Sequence, residues 1–175
     1  MNMKNKLLCM LIILPAFIFS FKMSAFGQEG TSKKKDMYDS LQVLTINGII
    51  TAVYDLISGP AGERNWNKFK FFCLPNATFI SMKKHPDGSE EFFSGDIDDY
   101  IKKISPTLEK SAYYENEVER NIQSSDNIAN VFSTYQSVLF ANDGTVNLKG
   151  VNSFQLVYKN NRWYIANILW KNEPL

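Results

Sequence analysis

Between Asn127 and Trp170 the chain reads as three long β-strands in succession, Asn127–Phe140, Val151–Tyr158 and Arg162–Trp170. This stretch holds two of the three tryptophans and is dense in β-branched and aromatic residues, which fit a pleated, half-buried surface. The breaks fall at Asn142-Asp143-Gly144 and Asn160-Asn161, residue types that supply positive φ in tight hairpins. A first strand of about 14 residues spans roughly 45 Å. A small sheet twists over that length, so the strand is expected to bend strongly, with a bulge as the device. A bent antiparallel sheet has a hollow side, and the earlier part of the chain must fill it.

That earlier part opens with Lys4 and Lys6, then the apolar run Leu7–Phe19, then Ala25-Phe26-Gly27, which puts small residues at the −3 and −1 positions of a cut before Gln28. This pattern predicts a secretory signal peptide over residues 1–27, cut between Gly27 and Gln28, and hence a secreted or periplasmic protein. A helix over the 13 residues Leu7–Phe19 would reach only about 20 Å, short of a bilayer core of about 30 Å, so a membrane anchor fits less well. Residues 28–40 are polar and carry Lys33-Lys34-Lys35, which predicts a flexible linker. Residues 41–175 then form one domain, long enough for a single core.

Removing residues 1–27 takes away three lysines and no acid, so the formal charge moves from +1 to −2. That balance gives no electrostatic case for nucleic acid or for an anionic membrane. It also removes Cys9, leaving Cys73 alone in the apolar run Phe71-Phe72-Cys73-Leu74. With no partner for an internal disulfide, the fold must be held by packing, and Cys73 reads as a small buried hydrophobe. One histidine and one remaining cysteine argue against a metal site, and no cofactor is expected.

Ile46, Ile49, Ile50, Val53 and Ile57 recur at helical spacing, predicting a helix from about Leu41 that stops at Ser58-Gly59-Pro60. Asn65 caps a short second helix through Trp66, Phe69 and Phe72, ended by Leu74-Pro75. Strands follow at Asn76–Met82 and around Glu91–Phe93, joined by the turn residues His85-Pro86-Asp87-Gly88. A third helix has Ser94 as a candidate cap, Asp96, Asp98 and Asp99 in its first turn and Lys102 and Lys103 in its last, with Ser105-Pro106 closing it. Ala112–Ile122 is one more strand, with Glu115, Glu117 and Glu119 on one face. The order helix, helix, strand, strand, helix and four strands makes an α+β fold.

That order, together with Ile57-Ser58-Gly59-Pro60-Ala61-Gly62, Arg64, Trp66, Pro75-Asn76-Ala77, Val131-Phe132-Ser133-Thr134-Tyr135, Gly150-Val151-Asn152-Ser153-Phe154-Gln155-Leu156 and Arg162-Trp163, resembles the nuclear transport factor 2-like superfamily. The relatives in view are SnoaL-like and ketosteroid isomerase-like proteins, and among them a group of exported bacterial members. The resemblance implies a cystatin-like, cone-shaped barrel: a strongly bent, mostly antiparallel sheet packed against about three N-terminal helices. It also implies a cavity in the cone, and a homodimer through the outer sheet face. An Asp or His base with a tyrosine, as ketosteroid isomerase-like members carry, has no evident counterpart here.

From the residues, Glu115 and Glu117 are candidate acids or bases if they face an apolar cavity, and a solvated strand face if they do not; Arg120 or Lys149 could neutralise either. Tyr135 is a candidate donor beside them. Tyr54, Trp66, Phe69, Ser133, Tyr135, Ser153, Gln155 and Trp163 are candidate ligand-contacting residues, against the alternative that the aromatics are core and the polar groups structural. In a regular strand Asn152 points away from Gln155, so both cannot line one cavity. Three functions stay open: an exported binding or accessory protein with a conical apolar pocket for a small apolar or amphipathic molecule; a cofactor-free lyase, isomerase or hydrolase using Glu115 or Glu117 with Tyr135; and a dimeric interaction module with a filled cone.

Overall fold

The computed structural model describes residues 40–85 and 87–174; the expected signal peptide and nearly all of the linker lie outside them. Three helices, α1 (Ile46–Ile57), α2 (Trp66–Phe72) and α3 (Ile97–Lys110), accompany six strands. These are β1 (Cys73–Lys84), β2 (Glu90–Gly95), β3 (Ala112–Ser125), β4 (Ile128–Ala141), β5 (Gly144–Lys159) and β6 (Arg162–Pro174). They form one sheet in the order β2-β1-β6-β5-β4-β3. All neighbours are antiparallel except β1 and β6, which run parallel. The order of elements is the one the sequence predicts, and the sheet is curled and unclosed.

Two bulges help to curl it. One lies in β3, where register slips between Glu117 and Glu119, and one in β6 opposite Gln155 and Leu156. A bulge adds a residue on one strand only, which bends that strand and raises its twist. The bend expected within β4 is thus served by its neighbour β3. The hairpins close as their residues require: Asn160 and Asn161 both adopt positive φ, 53° and 60°, in the two-residue turn between Lys159 and Arg162.

Three helix ends differ from expectation. α1 starts at Ile46, because Thr45 turns extended and accepts the Gly48 amide at 2.9 Å, separating α1 from the helical turn before it. α3 is capped by Asp96 rather than Ser94, in a reciprocal capping box with Asp99, and it runs on through Pro106 to Lys110. Leu108, 5% exposed, explains that extension: burying it outweighs the backbone hydrogen bond that proline removes. Lys102 and Lys103 consequently sit mid-helix.

The core lies between the helices and the hollow face of the sheet. Ile49, Ile50, Val53 and Tyr54 of α1 and Phe69 and Phe72 of α2 pack with Phe79, Val131, Phe154, Leu156, Ile165 and Ile168 of the sheet. Cys73 joins them as a buried thiol whose pKa burial pushes up to about 12. The loop from α1 to α2 is held by Arg64, which donates to the carbonyls of Ile57 (3.0 Å), Gly59 (3.1 Å), Pro60 (2.8 Å) and Gly62 (2.9 Å). That guanidinium fixes where α2, and with it Phe69, enters the core.

Candidate functional site

On β3 the inward side chains are Tyr113, Glu115 and Glu117, because alternate residues share a face. The bulge at Val118 resets that phase. Glu119 pairs with outward Thr134 and turns out, while Arg120 pairs with buried Ser133 and turns in. The run of three glutamates on one face is therefore broken, and an arginine takes the third place. Arg120 binds Glu117 with Nε to Oε1 at 2.8 Å and a second contact to Oε2 at 2.5 Å, a two-pronged ion pair. It reaches further to Asn47 Oδ1 at 2.8 Å, tying the pair to α1.

From Glu117 a chain of hydrogen bonds crosses the hollow face. Ser133 Oγ donates to Glu117 Oε1 at 2.5 Å, and Ser133 lies 2.6 Å from the Tyr54 hydroxyl. Asn152 Nδ2 donates to Tyr54 Oη at 3.0 Å and to Glu115 Oε1 at 3.1 Å. An amide nitrogen only donates, so Tyr54 accepts there and gives its own proton to Ser133, whose proton goes to Glu117. The chain has one direction, and it ends on a carboxylate already paired with Arg120. At the other end Tyr113 donates its hydroxyl to Glu115 Oε2.

Glu115 stands where this chain meets a cavity. The cavity has a volume of 360 Å³, at the small end of the range of about 300–1,000 Å³ usual for ligand sites. Phe69, Phe79, Tyr100, Phe154, Ile168 and Trp170 supply much of its wall, with Val53 and Ile57 from α1 and Ile104 and Leu108 from α3. Glu115, Tyr113, Tyr135 and Asn152 are its inner polar groups. Burial raises the Glu115 pKa above the usual carboxylate range, and the hydrogen bonds from Tyr113 and Asn152 pull only partly the other way. Burial keeps the tyrosines neutral: it pushes Tyr54 up to about 12 and raises Tyr135, Tyr113 and Tyr100 in the same direction.

The candidate residues divide accordingly. Glu115, Tyr135 and Phe69 line the cavity. Tyr54 and Ser133 lie behind it, in the buried chain that holds Asn152 and Glu117. Glu117 faces inward but is engaged by Arg120 and Ser133 and does not reach the cavity wall. Lys149, the other cation considered for these acids, is exposed on the outer face opposite Gln136. Ser153 and Gln155 point to the outer face, since Asn152, Phe154 and Leu156 take the inward positions and no bulge intervenes before them. Trp163 packs on Tyr158 with ring centres 5.2 Å apart, and Trp66 packs on Phe69 with centres 6.4 Å apart; both are core-side partners outside the cavity.

Asn152, Tyr113 and Tyr100 lie outside the candidate set, and Trp170 divides, from sequence, between cavity wall and core. Asn152 was open to detection, because it shares strand phase with Phe154 and Leu156, the apolar face of β5. Tyr113 likewise stands two residues before Glu115. Nothing local marks Tyr100 or Trp170 as wall rather than core, since each is also packed in the aromatic cluster with Phe79 and Phe69.

No protein-family model and no curated protein matches the chain by sequence. Solved structures do resemble it. A candidate scytalone dehydratase from Novosphingobium aromaticivorans superposes with a TM-score of 0.57 at 11% identity, covering 82% of this chain and 88% of that one. A candidate dehydratase of the nuclear transport factor 2-like family from Streptomyces avermitilis gives 0.56 at 12% identity, covering 78% and 97%. A nuclear transport factor 2-like superfamily protein from Salmonella enterica gives 0.54 at 16% identity, covering 78% and 91%. The chain has the nuclear transport factor 2-like fold, and at these identities the likeness speaks to fold alone.

Proposed function

We propose that this protein takes a small, largely apolar molecule into the cone, with a carbonyl or hydroxyl of the ligand meeting the Glu115 carboxyl, and works as a binding or accessory protein outside the cytoplasm. The observation that carries the reading is a 360 Å³ cavity with mainly apolar walls and a single carboxyl, that of Glu115, among its inner polar groups. Burial raises the pKa of this carboxyl, and Tyr113 and Asn152 hold its two oxygens in place, so it offers a ligand oxygen one fixed polar partner in a mainly apolar wall. A cone left with this much space weighs against a pure interaction module with a filled interior. Native mass spectrometry of protein purified from its own host tests the reading: a bound small molecule is expected, and Glu115→Leu should lose it. A cone that releases nothing, and takes up no apolar compound in a thermal-shift screen, would defeat it.

A second reading is favoured by the pairing of Glu115 with Tyr135 in one cavity: a cofactor-free lyase, isomerase or hydrolase. There Glu115 would move a proton as general acid or base while Tyr135 donates to a developing oxyanion. The two neighbours described as candidate dehydratases share this fold. The readings part on one variant: Glu115→Gln keeps a ligand in a binding protein, but ends turnover in an enzyme while leaving the complex intact.

Export rests on the sequence of residues 1–27; N-terminal sequencing of the native protein is expected to begin at Gln28. Dimerisation through the outer face is supported by Phe132 and Leu169, which leave 55% and 42% of their surface exposed there. Sedimentation of Phe132→Glu against the parent protein tests it.

A further inference from the structure

The residues that line the cavity differ in depth. Phe69, Phe79, Tyr100, Tyr135, Asn152 and Phe154 are buried, whereas Lys83, Lys103 and Thr107 are exposed and so form its rim. The two lysines are the only cations among the lining residues. They flank one carboxylate: Lys103 Nζ binds Glu91 Oε1 at 2.9 Å, and Lys83 stands directly opposite Glu91 in the β1–β2 ladder. Two ammonium groups around one carboxylate leave a net positive charge at the entrance. Lys103 is also steadied by the Phe93 ring, 5.2 Å from its Nζ, which limits how far it can swing away.

Beneath the rim the wall is aromatic. Phe79 and Tyr100 stack with centres 5.0 Å apart, Trp170 meets Tyr100 edge-on at 5.6 Å, and Phe69 meets Phe79 edge-on at 5.7 Å. Such a wall offers both ring faces and ring edges to an inserted ring.

Building on the cone-binding reading above, we propose that the ligand is an aromatic carboxylate, its ring against Phe79, Tyr100 and Trp170 and its acid group between Lys83 and Lys103. The arrangement sorts by polarity along one axis: an anion is solvated and paired at the rim, and only the apolar body is withdrawn from water. An anion placed deeper would have to give up water beside Glu115 with no cation in reach.

The test is calorimetric titration of the full-length protein with two probes of matched shape, 2-naphthylacetate and the neutral alcohol 2-(2-naphthyl)ethanol. The acid is expected to bind about tenfold tighter, an advantage that two partly exposed ion pairs can supply. Lys83→Gln with Lys103→Gln should abolish that advantage, and rising salt should shrink it. Lys102→Gln removes a neighbouring exposed charge outside the lining, and it should change nothing. Equal binding of acid and alcohol overturns the proposal while leaving the cone-binding reading standing. An advantage that survives the double substitution, or that is lost equally with Lys102→Gln, also overturns it. Binding of neither probe overturns the proposal, while the cone-binding reading falls only if the thermal-shift screen also finds no apolar compound bound.

Discussion

Asn152 on β5 donates to Glu115 Oε1 on β3 at 3.1 Å, spanning the strand that lies between them. The same amide nitrogen donates its other proton to Tyr54 Oη at 3.0 Å, so one side chain holds a carboxyl of the sheet and a phenol of α1 in fixed relation. The geometry of the cavity floor thus depends on a residue that is 8% exposed and carries no charge.

Truncating that link is expected to be costly. Asn152→Ala removes two hydrogen bonds and leaves a buried phenol oxygen and a carboxyl oxygen short of a donor. Leaving one buried polar group unsatisfied costs about 1–3 kcal/mol, and urea denaturation should show a loss in that range or somewhat above it. A loss below about 0.5 kcal/mol would show that water or a rearranged neighbour replaces the amide. Asn152→Asp is the sharper variant, since it places a second carboxyl against Glu115 and turns a donor into an acceptor.

Gly150 lies directly opposite Tyr135 in the β4–β5 ladder, and the Tyr135 ring passes over it. A Cβ on Gly150 would meet Tyr135 Cζ and Oη at 2.4 Å and the Lys171 carbonyl oxygen at 2.6 Å. The ring can swing away, but the carbonyl belongs to the paired strand β6, so the ring must leave and the β5–β6 backbone must shift as well. Gly150→Ala is expected to destabilise by about 1–3 kcal/mol through overpacking and to alter ligand affinity by moving Tyr135 off the cavity wall. Denaturation and titration of the same variant check both effects.

Arg64 offers a contrast between charge and shape. Its guanidinium serves four carbonyls of residues 57–62 from one side of the loop, which a lysine ammonium on a single axis cannot do. Arg64→Lys should therefore lose about 2 kcal/mol despite keeping the charge. If the lysine variant melts with the parent protein, the loop is held by its backbone bonds, Gly59 with Tyr113 and Gly62 to Leu108, and not by the guanidinium.

How much of this was written locally in the chain depends on the residue. The hairpin at Asn160-Asn161, the stop after Ile57 and the cap at Asn65 are set by neighbours in sequence, and they stand where the residues indicate. Strand β5 begins seven residues before the expected Val151: Thr145-Val146-Asn147-Leu148-Lys149 alternates as a strand does, but that end is largely exposed and Gly150 interrupts the run. Local propensity makes Pro106 a terminator, whereas burial of Leu108 decides otherwise. The site was least legible at Val118. One extra residue there moves Glu119 out and Arg120 in, and nothing in the local pattern of β3 announces a bulge; the register with β4 creates it.

The buried carboxyl also carries a pH signature whose sign can be worked out. In the unfolded chain Glu115 titrates near its ordinary value of 4.5, and in the folded chain burial holds it higher. Below 4.5 both states are protonated and the group adds no slope. Between that value and the folded pKa the native state binds the proton more tightly than the unfolded state, so stability falls as pH rises. Above the folded pKa the loss is complete and the contribution levels off. Glu115→Gln has no proton to lose and escapes this decline, while its amide can still accept from Asn152. The stability of the parent minus that of Glu115→Gln should therefore decrease from pH 4.5 upward and then become constant. Urea denaturation of both proteins at a series of pH values measures the difference directly, and the pH at which it levels off reports the folded pKa. A difference that stays flat, or that grows with pH, would mean that Glu115 is ionised in the fold and that the cavity floor carries a charge.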